Sequence, residues 1–299
     1  MKGRVPRLRG VSIALLLAAQ TALFPTAVLA WGLAAHRWVA KRAGEIAGAS
    51  CAPLVGGRRS ELTERSVEPD TVLRGRLGRS EEVRHFLDLD EYGAPPFRAL
   101  PRIYDDAVEK FGRELVRERG ILPWHGGRLA RRLRGEIRRG DWSAARRTAG
   151  HLAHYAADAT MPLHATKNHD GQLSGQRGLH QRVEAMLGER WLDEYGSRAA
   201  AVPALKPIAP EHSEAALFAA LLDSYDAMAP VLAADRTARR GTWVGSPLYH
   251  RRLDADLGAL IAKRLGTAAA LTAALWEGAC APETRASPSA RLTPAAPAE

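Results

Sequence analysis

The 299-residue sequence has little cysteine and lacks several motifs that define common enzyme classes. Only Cys51 and Cys280 occur, and no CxxC element is present, which excludes zinc sites and redox centres built on closely spaced cysteines. There is no Gly-rich phosphate loop, so a P-loop nucleotide hydrolase is excluded as well. No internal repeat indicates a solenoid. The chemistry of this chain must therefore depend on other side chains.

The N-terminus has the pattern of a secretory signal peptide. Four basic residues precede the apolar run 11–24, which is too short and wrongly flanked for a membrane span. The run leads to Val28-Leu29-Ala30, a small-residue cleavage site. We therefore expect residues 1–30 to be removed and the protein to be exported, either periplasmic or secreted. Cleavage after Ala30 makes Trp31 the first residue, with a free α-amine.

Length and charge describe the chain that remains after cleavage. The full sequence carries 43 basic and 33 acidic residues, and loss of four basic residues lowers the net charge from +10 to +6. A moderate positive charge suits an anionic substrate or surface. We expect one domain over residues 31–280, followed by a disordered Pro-, Ala- and Ser-rich tail over residues 281–299.

In an oxidising compartment Cys51 and Cys280 either pair or remain two free thiols.

The hydrophobic pattern predicts an almost wholly helical domain. Residues 50–100 are punctuated by Gly, Pro and Arg and are expected to form loops and short helices. Asp141 is a natural N-cap for the helix that follows it, and the polar residues 165–177 read as a loop at the mouth of a site. The longer helices are expected over residues 33–48, 101–119, 124–138, 142–159, 211–235 and 250–278.

The segment His154-x3-Asp158-x5-His164 concentrates metal-binding side chains. His154 and Asp158 are four residues apart, so a helix places them on one face, and imidazole with carboxylate is a donor set that zinc accepts. His180-x3-Glu184 repeats the pattern. One such pair alone is most simply a solvated helix pair that contributes about 0.2–0.5 kcal/mol. The interpretation as a metal site depends on the wider set.

Taken in order, these residues resemble the zinc-dependent phospholipase C and single-strand-specific nuclease superfamily, a group of helical tri-zinc phosphodiesterases. In that family the mature chain begins with Trp, whose α-amine and carbonyl oxygen bind zinc. A His, an Asp and a His-Phe-x-Asp segment follow, then His-x3-Asp-x5-His and His-x3-Glu or His-x3-Asp. All nine ligand positions are filled here, by Trp31, His36, Asp70, His85, His154, Asp158, His164, His180 and Glu184.

The resemblance implies an all-α, single-domain fold with a tri-zinc cleft and three zinc ions per chain. One ion would be held by Asp70, His85, His154 and Asp158. A second would be held by Trp31, His36 and Asp158, and a third, more open ion by His164, His180 and Glu184. Asp158 would bridge two ions, and Asp70 and Asp158 are the candidate catalytic residues.

The resemblance is closer to the bacterial phospholipase C-like members, because the last motif ends in Glu184. The implied function is therefore a secreted zinc-dependent phosphodiester hydrolase acting on phospholipid. The residues that bind choline in characterised phospholipases are replaced by Ala34, Thr71 and Glu82, so phosphatidylcholine specificity is not implied.

Two alternatives remain open. A single-strand-specific nuclease would use the same zinc site, with Phe86 stacking on a base and Asp88 hydrogen-bonding to it, and single-stranded nucleic acid as its partner. A non-catalytic exported zinc-binding protein is the other. A third ion with only three protein ligands favours catalysis over that alternative. A protein that only binds lipid surfaces would also need an amphipathic apolar face beyond the site, and none stands out in the sequence. No stable protein partner is predicted.

Overall fold

The computed structural model describes residues 31–189 and 191–282, and this part of the chain is all-α. It consists of helices and the turns between them, with no β-strand. The expected all-α class is therefore confirmed. The predicted signal peptide, residues 1–30, and the tail beyond residue 282 lie outside the described residues.

Fourteen α-helices are numbered in chain order within the described residues, and six short 3₁₀ or π segments lie between them. The α-helices are α1 (Gly32–Ile46), α2 (Ala52–Val55), α3 (Arg59–Arg65), α4 (Arg74–Leu77), α5 (Arg79–Glu82), α6 (Tyr104–Phe111), α7 (Arg113–Glu118), α8 (Leu122–Arg138), α9 (Trp142–Ala159), α10 (Leu179–Gln181), α11 (Leu192–Ala200), α12 (Ser213–Asp226), α13 (Met228–Ala238) and α14 (Pro247–Cys280). The 3₁₀ segments are Ala49–Cys51, Leu89–Tyr92, Pro162–Ala165 and Pro210–His212, and the π-helical segments are Pro69–Leu73 and Arg182–Glu189.

The long helix α14 organises the packing. It contacts α1, α8, α9, α11 and α13, and its two halves belong to different apolar clusters. Its C-terminal half contributes Leu275 and Trp276 to a cluster shared with α8 and α9. Its N-terminal half contributes Leu257 and Ile261 to a cluster shared with α1, α11 and α13. Helix α9 contributes to both clusters, so its polar side chains are enclosed by neighbouring helices.

Two segments, Pro210–Ala238 and Pro247–Cys280, are long and apolar enough by composition to cross a membrane. In the second segment, 78% of the most apolar window is buried inside the domain. Its hydrophobicity is therefore explained by its place at the centre of the helical packing.

The observed helices match most of the predicted ones, with two corrections. The N-cap of α9 is confirmed, because the carboxylate of Asp141 accepts a hydrogen bond of 3.1 Å from the Ala144 amide. The single helix predicted over residues 101–119 is wrong: Gly112 breaks it with φ of 84°, a left-handed conformation that favours glycine. The helix predicted over residues 211–235 is also two helices. Pro230 follows the break and has no N–H to continue the hydrogen-bond ladder.

Cys51 and Cys280 form a disulfide that joins positions 229 residues apart in sequence. It links the end of α14 to the segment that follows α1. Of the two alternatives left open by the sequence, the structure therefore contains the paired one. A native disulfide typically stabilises the folded state by about 2–4 kcal/mol.

Candidate metal centre

Helix α9 carries the two residues at the centre of the site. His154 and Asp158 lie one turn apart, and both side chains are fully buried. The helix packs against α1, α3, α8 and α14, so this polar face meets other protein segments and not solvent. Buried imidazole and carboxylate groups require partners, and those partners come from four other segments of the chain.

The first group of donor atoms contains Asp70, His85 and His154. Asp70 lies on the π-helical segment Pro69–Leu73, and His85 follows α5. The Nδ1 atom of His85 lies 3.1 Å from Nε2 of His154. The Asp70 carboxylate lies 3.9 Å from each of these two nitrogens. Three donor atoms therefore surround one small volume.

The second group contains His36, His154 and Asp158. His36 comes from the first turns of α1, and its imidazole stacks on that of His154 with ring centroids 3.9 Å apart. Its Nε2 atom lies 3.6 Å from Oδ1 of Asp158. His154 is thus close to both groups, although the sequence assigned it to one only.

The third group contains His164, His180 and Glu184. The Oε1 atom of Glu184 lies 2.6 Å from Nε2 of His180 and 3.1 Å from Nε2 of His164. The two Nε2 atoms are 3.2 Å apart. His164 lies on the 3₁₀ segment Pro162–Ala165, directly after the end of α9, as the position of Pro162 predicts.

Asp158 connects the three groups. Its Oδ2 atom lies 3.0 Å from Nδ1 of His85 and 3.4 Å from Nε2 of His154. Its Oδ1 atom lies 3.6 Å from Nε2 of His36 and also 3.6 Å from Nδ1 of His164. The two oxygens of one carboxylate therefore face donor atoms of different groups. The eight predicted side-chain ligands all converge, although they span residues 36–184.

The site concentrates negative charge away from water. Burial raises the pKa of Asp70 to about 7, against the opposing effect of the Arg74 guanidinium. Burial, and then the charges of Asp70 and Glu184, raise the pKa of Asp158 well above its usual value. Burial also lowers the pKa of His85 to about 4 and that of His154 well below its usual value. The imidazoles of His85 and His154 are therefore neutral donors, and burial outweighs the stabilising charge of Arg74 on the carboxylates of Asp70 and Asp158.

Glu184 differs from the other acids of the site. Burial alone would raise its pKa, but the adjacent His180 and His164 hold it at about 2. Glu184 is therefore ionised throughout the physiological range. A carboxylate that is both ionised and buried needs a cation or several hydrogen-bond donors near it.

Several buried atoms at the centre have no hydrogen-bond partner within the described part of the chain. They are Oδ2 of Asp70, Oδ1 of Asp158, Nδ1 of His164 and Oε2 of Glu184. Leaving a buried polar atom unsatisfied costs about 1–3 kcal/mol. Metal ions placed among the three groups would satisfy these atoms and neutralise the carboxylates. The donor set, imidazole with carboxylate, is suited to zinc.

Outer contacts fix the ligand side chains. The Nδ1–H of His154 donates to the Ser66 carbonyl at 2.8 Å, which leaves Nε2 facing the site. Glu81, fully buried, accepts a short hydrogen bond from Tyr155 and lies 3.6 Å from Nε2 of His85. Sequence reasoning missed Ser66 and Glu81. The spacing of Glu81 and His85, four residues apart on one helical face, was the only available signal.

A second outer network holds the third group. Arg182 lies between His180 and Glu184 in the chain, and its guanidinium contacts Asp235 at 3.1 Å and the Tyr249 hydroxyl at 2.9 Å. Asp235 is fully buried and also accepts a hydrogen bond of 2.7 Å from Gln176. This network connects the segment carrying His180 and Glu184 to α13 and α14.

Trp31 lies beside the site at the beginning of α1. It is fully buried, and its indole N–H donates to the carbonyl of Ala157, the residue before Asp158, at 2.9 Å. Gly188 approaches it so closely that an added Cβ would lie 2.9 Å from the Trp31 carbonyl oxygen. Coordination by the Trp31 amine and carbonyl remains a prediction.

Phe86 and Asp88 lie on the segment that follows His85, and both are half-buried. The segment is tied to the site, because the Leu87 amide donates to the His164 carbonyl at 2.9 Å. Burial, and then the charges of Asp90 and Glu91, raise the pKa of Asp88 to about 7. Neither side chain belongs to the three donor groups, and their role in substrate binding remains a prediction.

The predicted loop 165–177 forms turns between His164 and His180. The Asp170 carboxylate accepts hydrogen bonds from the amides of Gly178 and His180, at 2.9 Å and 3.3 Å. The ring of His169 lies 6.0 Å from that of His180. The loop thus connects two ligand residues and borders the third group.

No protein-family model matches this chain, and no curated protein matches it.

Proposed function

We propose that this protein is an exported zinc-dependent phosphodiester hydrolase of the phospholipase C type. The observation that carries the proposal is the convergence of three buried His–carboxylate groups on Asp158. A site that served only structure would need one closed set of ligands, whereas three adjoining groups with unsatisfied donor atoms suit several ions in one cleft.

The proposed division follows the three donor groups, and the backbone of Trp31 is added from the family resemblance. Asp70, His85 and His154 would hold one ion, and His36 with the backbone of Trp31 a second, with Asp158 shared between them. His164, His180 and Glu184 would hold the third. When bound, closely spaced zinc ions lower the pKa of a coordinated water toward neutrality and stabilise charge on the phosphoryl oxygens.

The chain's own residues position this chemistry. Arg74 contacts Oδ1 of Asp70 at 2.9 Å, which keeps the other carboxylate oxygen directed at His154 and makes Asp70 a candidate to accept a proton. The Ser66 carbonyl and Glu81 hold the rings of His154 and His85 in orientation. Burial of these ligands excludes bulk water, which strengthens every electrostatic interaction with a phosphoryl group.

Phospholipid is the proposed substrate class, supported by the His180-x3-Glu184 ending that the chain shares with phospholipase C-like proteins. The headgroup is left open, because Ala34, Thr71 and Glu82 replace the choline-binding residues. Single-stranded nucleic acid is the competing substrate, for which Phe86 and Asp88 would form the base-binding site.

A direct comparison of substrates tests the proposal. The mature protein, beginning at Trp31 and supplied with zinc, is incubated with phospholipids of several headgroups and with single-stranded DNA and RNA. We expect release of phosphorylated headgroup, abolished by Asp158→Asn and unchanged by Asp105→Asn, which alters an exposed carboxylate at the start of α6. Cleavage of nucleic acid alone would transfer the proposal to the nuclease alternative. Zinc binding without hydrolysis of either substrate would leave only a zinc-binding protein.

A further inference from the structure

Four large apolar side chains are exposed on two loops and on the first turn of α14, beside the candidate site. Leu173 lies in the loop 165–177 and is 64% exposed, and Trp243 lies between α13 and α14 and is 69% exposed. Val244 and Leu248, next to Trp243 in sequence, are exposed as well. Trp243 is the only tryptophan among the exposed large apolar residues of the described chain. Such residues are usually buried, so a cluster of them indicates an interaction surface.

Hydrogen bonds hold the loop 165–177 to the end of α13, directly before the second loop. Arg239 at the end of α13 donates to the Gly175 carbonyl at 3.1 Å, and Arg236 donates to the Gln176 side chain at 3.1 Å. The chain then turns, with the Thr242 amide donating to the Arg239 carbonyl at 3.3 Å, and reaches Trp243. Leu173 and Trp243 are therefore each within a few residues of the same contact.

The surface around these side chains is positively charged. Residues 236–253 contain five arginines and no acidic residue. Among them Arg236, Arg240 and Arg251 are exposed. The nearest preceding acid, Asp235, is buried and paired with Arg182 and Arg239. Asp254 and Asp256 follow directly on α14, so residues 236–256 carry five arginines against two acidic residues and keep a net positive charge. Apolar and cationic groups thus occur side by side.

This surface adjoins the third donor group through the chain itself. The loop that carries Leu173 begins after His164 and ends at His180. Its Asp170 carboxylate accepts hydrogen bonds from the amides of Gly178 and His180. The Gln176 side chain joins the Asp235–Arg182 network that holds His180 and Glu184. A molecule bound at the loops would therefore be next to the segment that carries His180 and Glu184.

We infer that this surface, the Trp243 patch, docks the protein on an anionic phospholipid bilayer. The patch consists of Leu173, Trp243, Val244, Leu248, Arg236, Arg240 and Arg251. Tryptophan favours the bilayer interface, and aliphatic side chains enter the acyl boundary. Arginines near the surface are attracted to anionic headgroups. This inference rests on the proposed function and extends it, because it states that the enzyme binds its phospholipid substrate as part of a bilayer.

A bilayer suits the patch better than single-stranded nucleic acid does. Non-specific binding of single strands uses several aromatic side chains on which successive bases stack. The patch has one aromatic residue and three aliphatic ones. Aliphatic side chains gain little from base stacking but gain from transfer into an acyl environment.

Vesicle co-sedimentation tests the inference with the mature, zinc-loaded chain. Vesicles of phosphatidylcholine alone are compared with vesicles containing about one-third phosphatidylglycerol, at roughly 0.05 M and 0.5 M salt. We expect binding to the anionic vesicles that weakens at high salt. Trp243→Ala should weaken it about tenfold, and Arg240→Gln and Arg251→Gln about fivefold each.

Matched controls separate the patch from general surface effects. Ile103→Ala removes an apolar side chain that is 61% exposed outside the patch, and Arg147→Gln removes an exposed arginine elsewhere. Both should bind vesicles as the wild type does, and circular dichroism should show that all variants are folded. Equal binding by wild type and the Trp243→Ala, Arg240→Gln, Arg251→Gln triple variant would overturn the inference. The inference would also be overturned if the wild type bound no vesicles and the triple variant lost binding to a single-stranded oligonucleotide.

The vesicle assay does not depend on hydrolysis, so the two proposals fail differently. Patch-dependent binding to anionic vesicles without headgroup release would keep the docking surface and refute the phospholipase function. Release of headgroup from dispersed short-chain phospholipid, with no patch-dependent vesicle binding, would keep the function and refute the docking surface.

Discussion

Removal of metal should destabilise this protein strongly. Four buried atoms of Asp70, Asp158, His164 and Glu184 have no hydrogen-bond partner in the described chain, and each such atom costs about 1–3 kcal/mol. Binding of metal to the folded state alone gives a similar magnitude. Each ion present at about 100 times its dissociation constant adds about 2.7 kcal/mol to the free energy of unfolding. Together these effects suggest that about 5–10 kcal/mol of unfolding free energy depends on bound metal.

The expected consequence is a large fall in melting temperature. For a domain of this size each kcal/mol corresponds to about 2–4 °C, so chelation should lower the melting temperature by roughly 10–40 °C. The assay is thermal unfolding followed by circular dichroism, with and without a chelator, followed by addition of zinc. Asp105→Asn should behave as the wild type, whereas Asp158→Asn should respond little to the chelator. An unchanged melting temperature in the chelated wild type would show that bound metal does not stabilise the fold.

Three further predictions address the surroundings of the site. Asp235→Asn removes the charge that holds Arg182, so the zinc affinity of the third group should fall about 10–100-fold. Titration of the apo-protein with zinc measures this affinity, and an unchanged affinity would contradict the prediction. One alanine added before Trp31 replaces the free α-amine by an amide, a poor zinc donor, and should lower zinc content and hydrolysis; equal values in the two proteins would exclude Trp31 as a ligand. The pKa of Asp88 is raised to about 7, so its contribution to stability is present at low pH and is lost as pH rises from about 4 to 7. The free energy of unfolding of Asp88→Asn minus that of the wild type, measured by urea denaturation, should therefore be more favourable to the variant at pH 8 than at pH 5. A difference that does not change with pH would contradict this prediction.

The sequence predicted those parts of the site that depend on local spacing. His154 with Asp158, and His180 with Glu184, are pairs at helical spacing, and the structure places both pairs in donor groups. The order of ligand types along the chain also predicted that His36, Asp70 and His85 converge there. The two pairs were predicted correctly because a helix fixes the relative direction of side chains four residues apart, whereas the other three residues followed from the order of the family's ligands.

The sequence could not predict contacts between distant segments. Arg182 and Asp235 are 53 residues apart, and Glu81 and Tyr155 are 74 apart, so no spacing indicates that they meet. His154 lies close to two donor groups because α1 packs across α9, which is a matter of tertiary packing. The Trp243 patch was missed for a similar reason: its apolar residues come from two loops and the first turn of α14, and neither loop alone has an amphipathic pattern.

Helix boundaries show the same limit at a smaller scale. The hydrophobic period continues across Gly112, but the left-handed conformation of that glycine separates α6 from α7. The period also continues from α12 into α13, although Pro230 cannot continue the ladder. Periodicity reports which residues face the core, and it does not report where the backbone turns.

The most direct test of the central claim is the zinc content of the purified mature protein after dialysis, measured by elemental analysis for the wild type and for Asp158→Asn. We predict three zinc ions per chain in the wild type, and loss of the ions that share Asp158 from a variant that remains helical. A wild type that retains no zinc, or an Asp158→Asn variant that retains as much zinc as the wild type, would contradict the claim that this carboxylate joins three metal-binding groups.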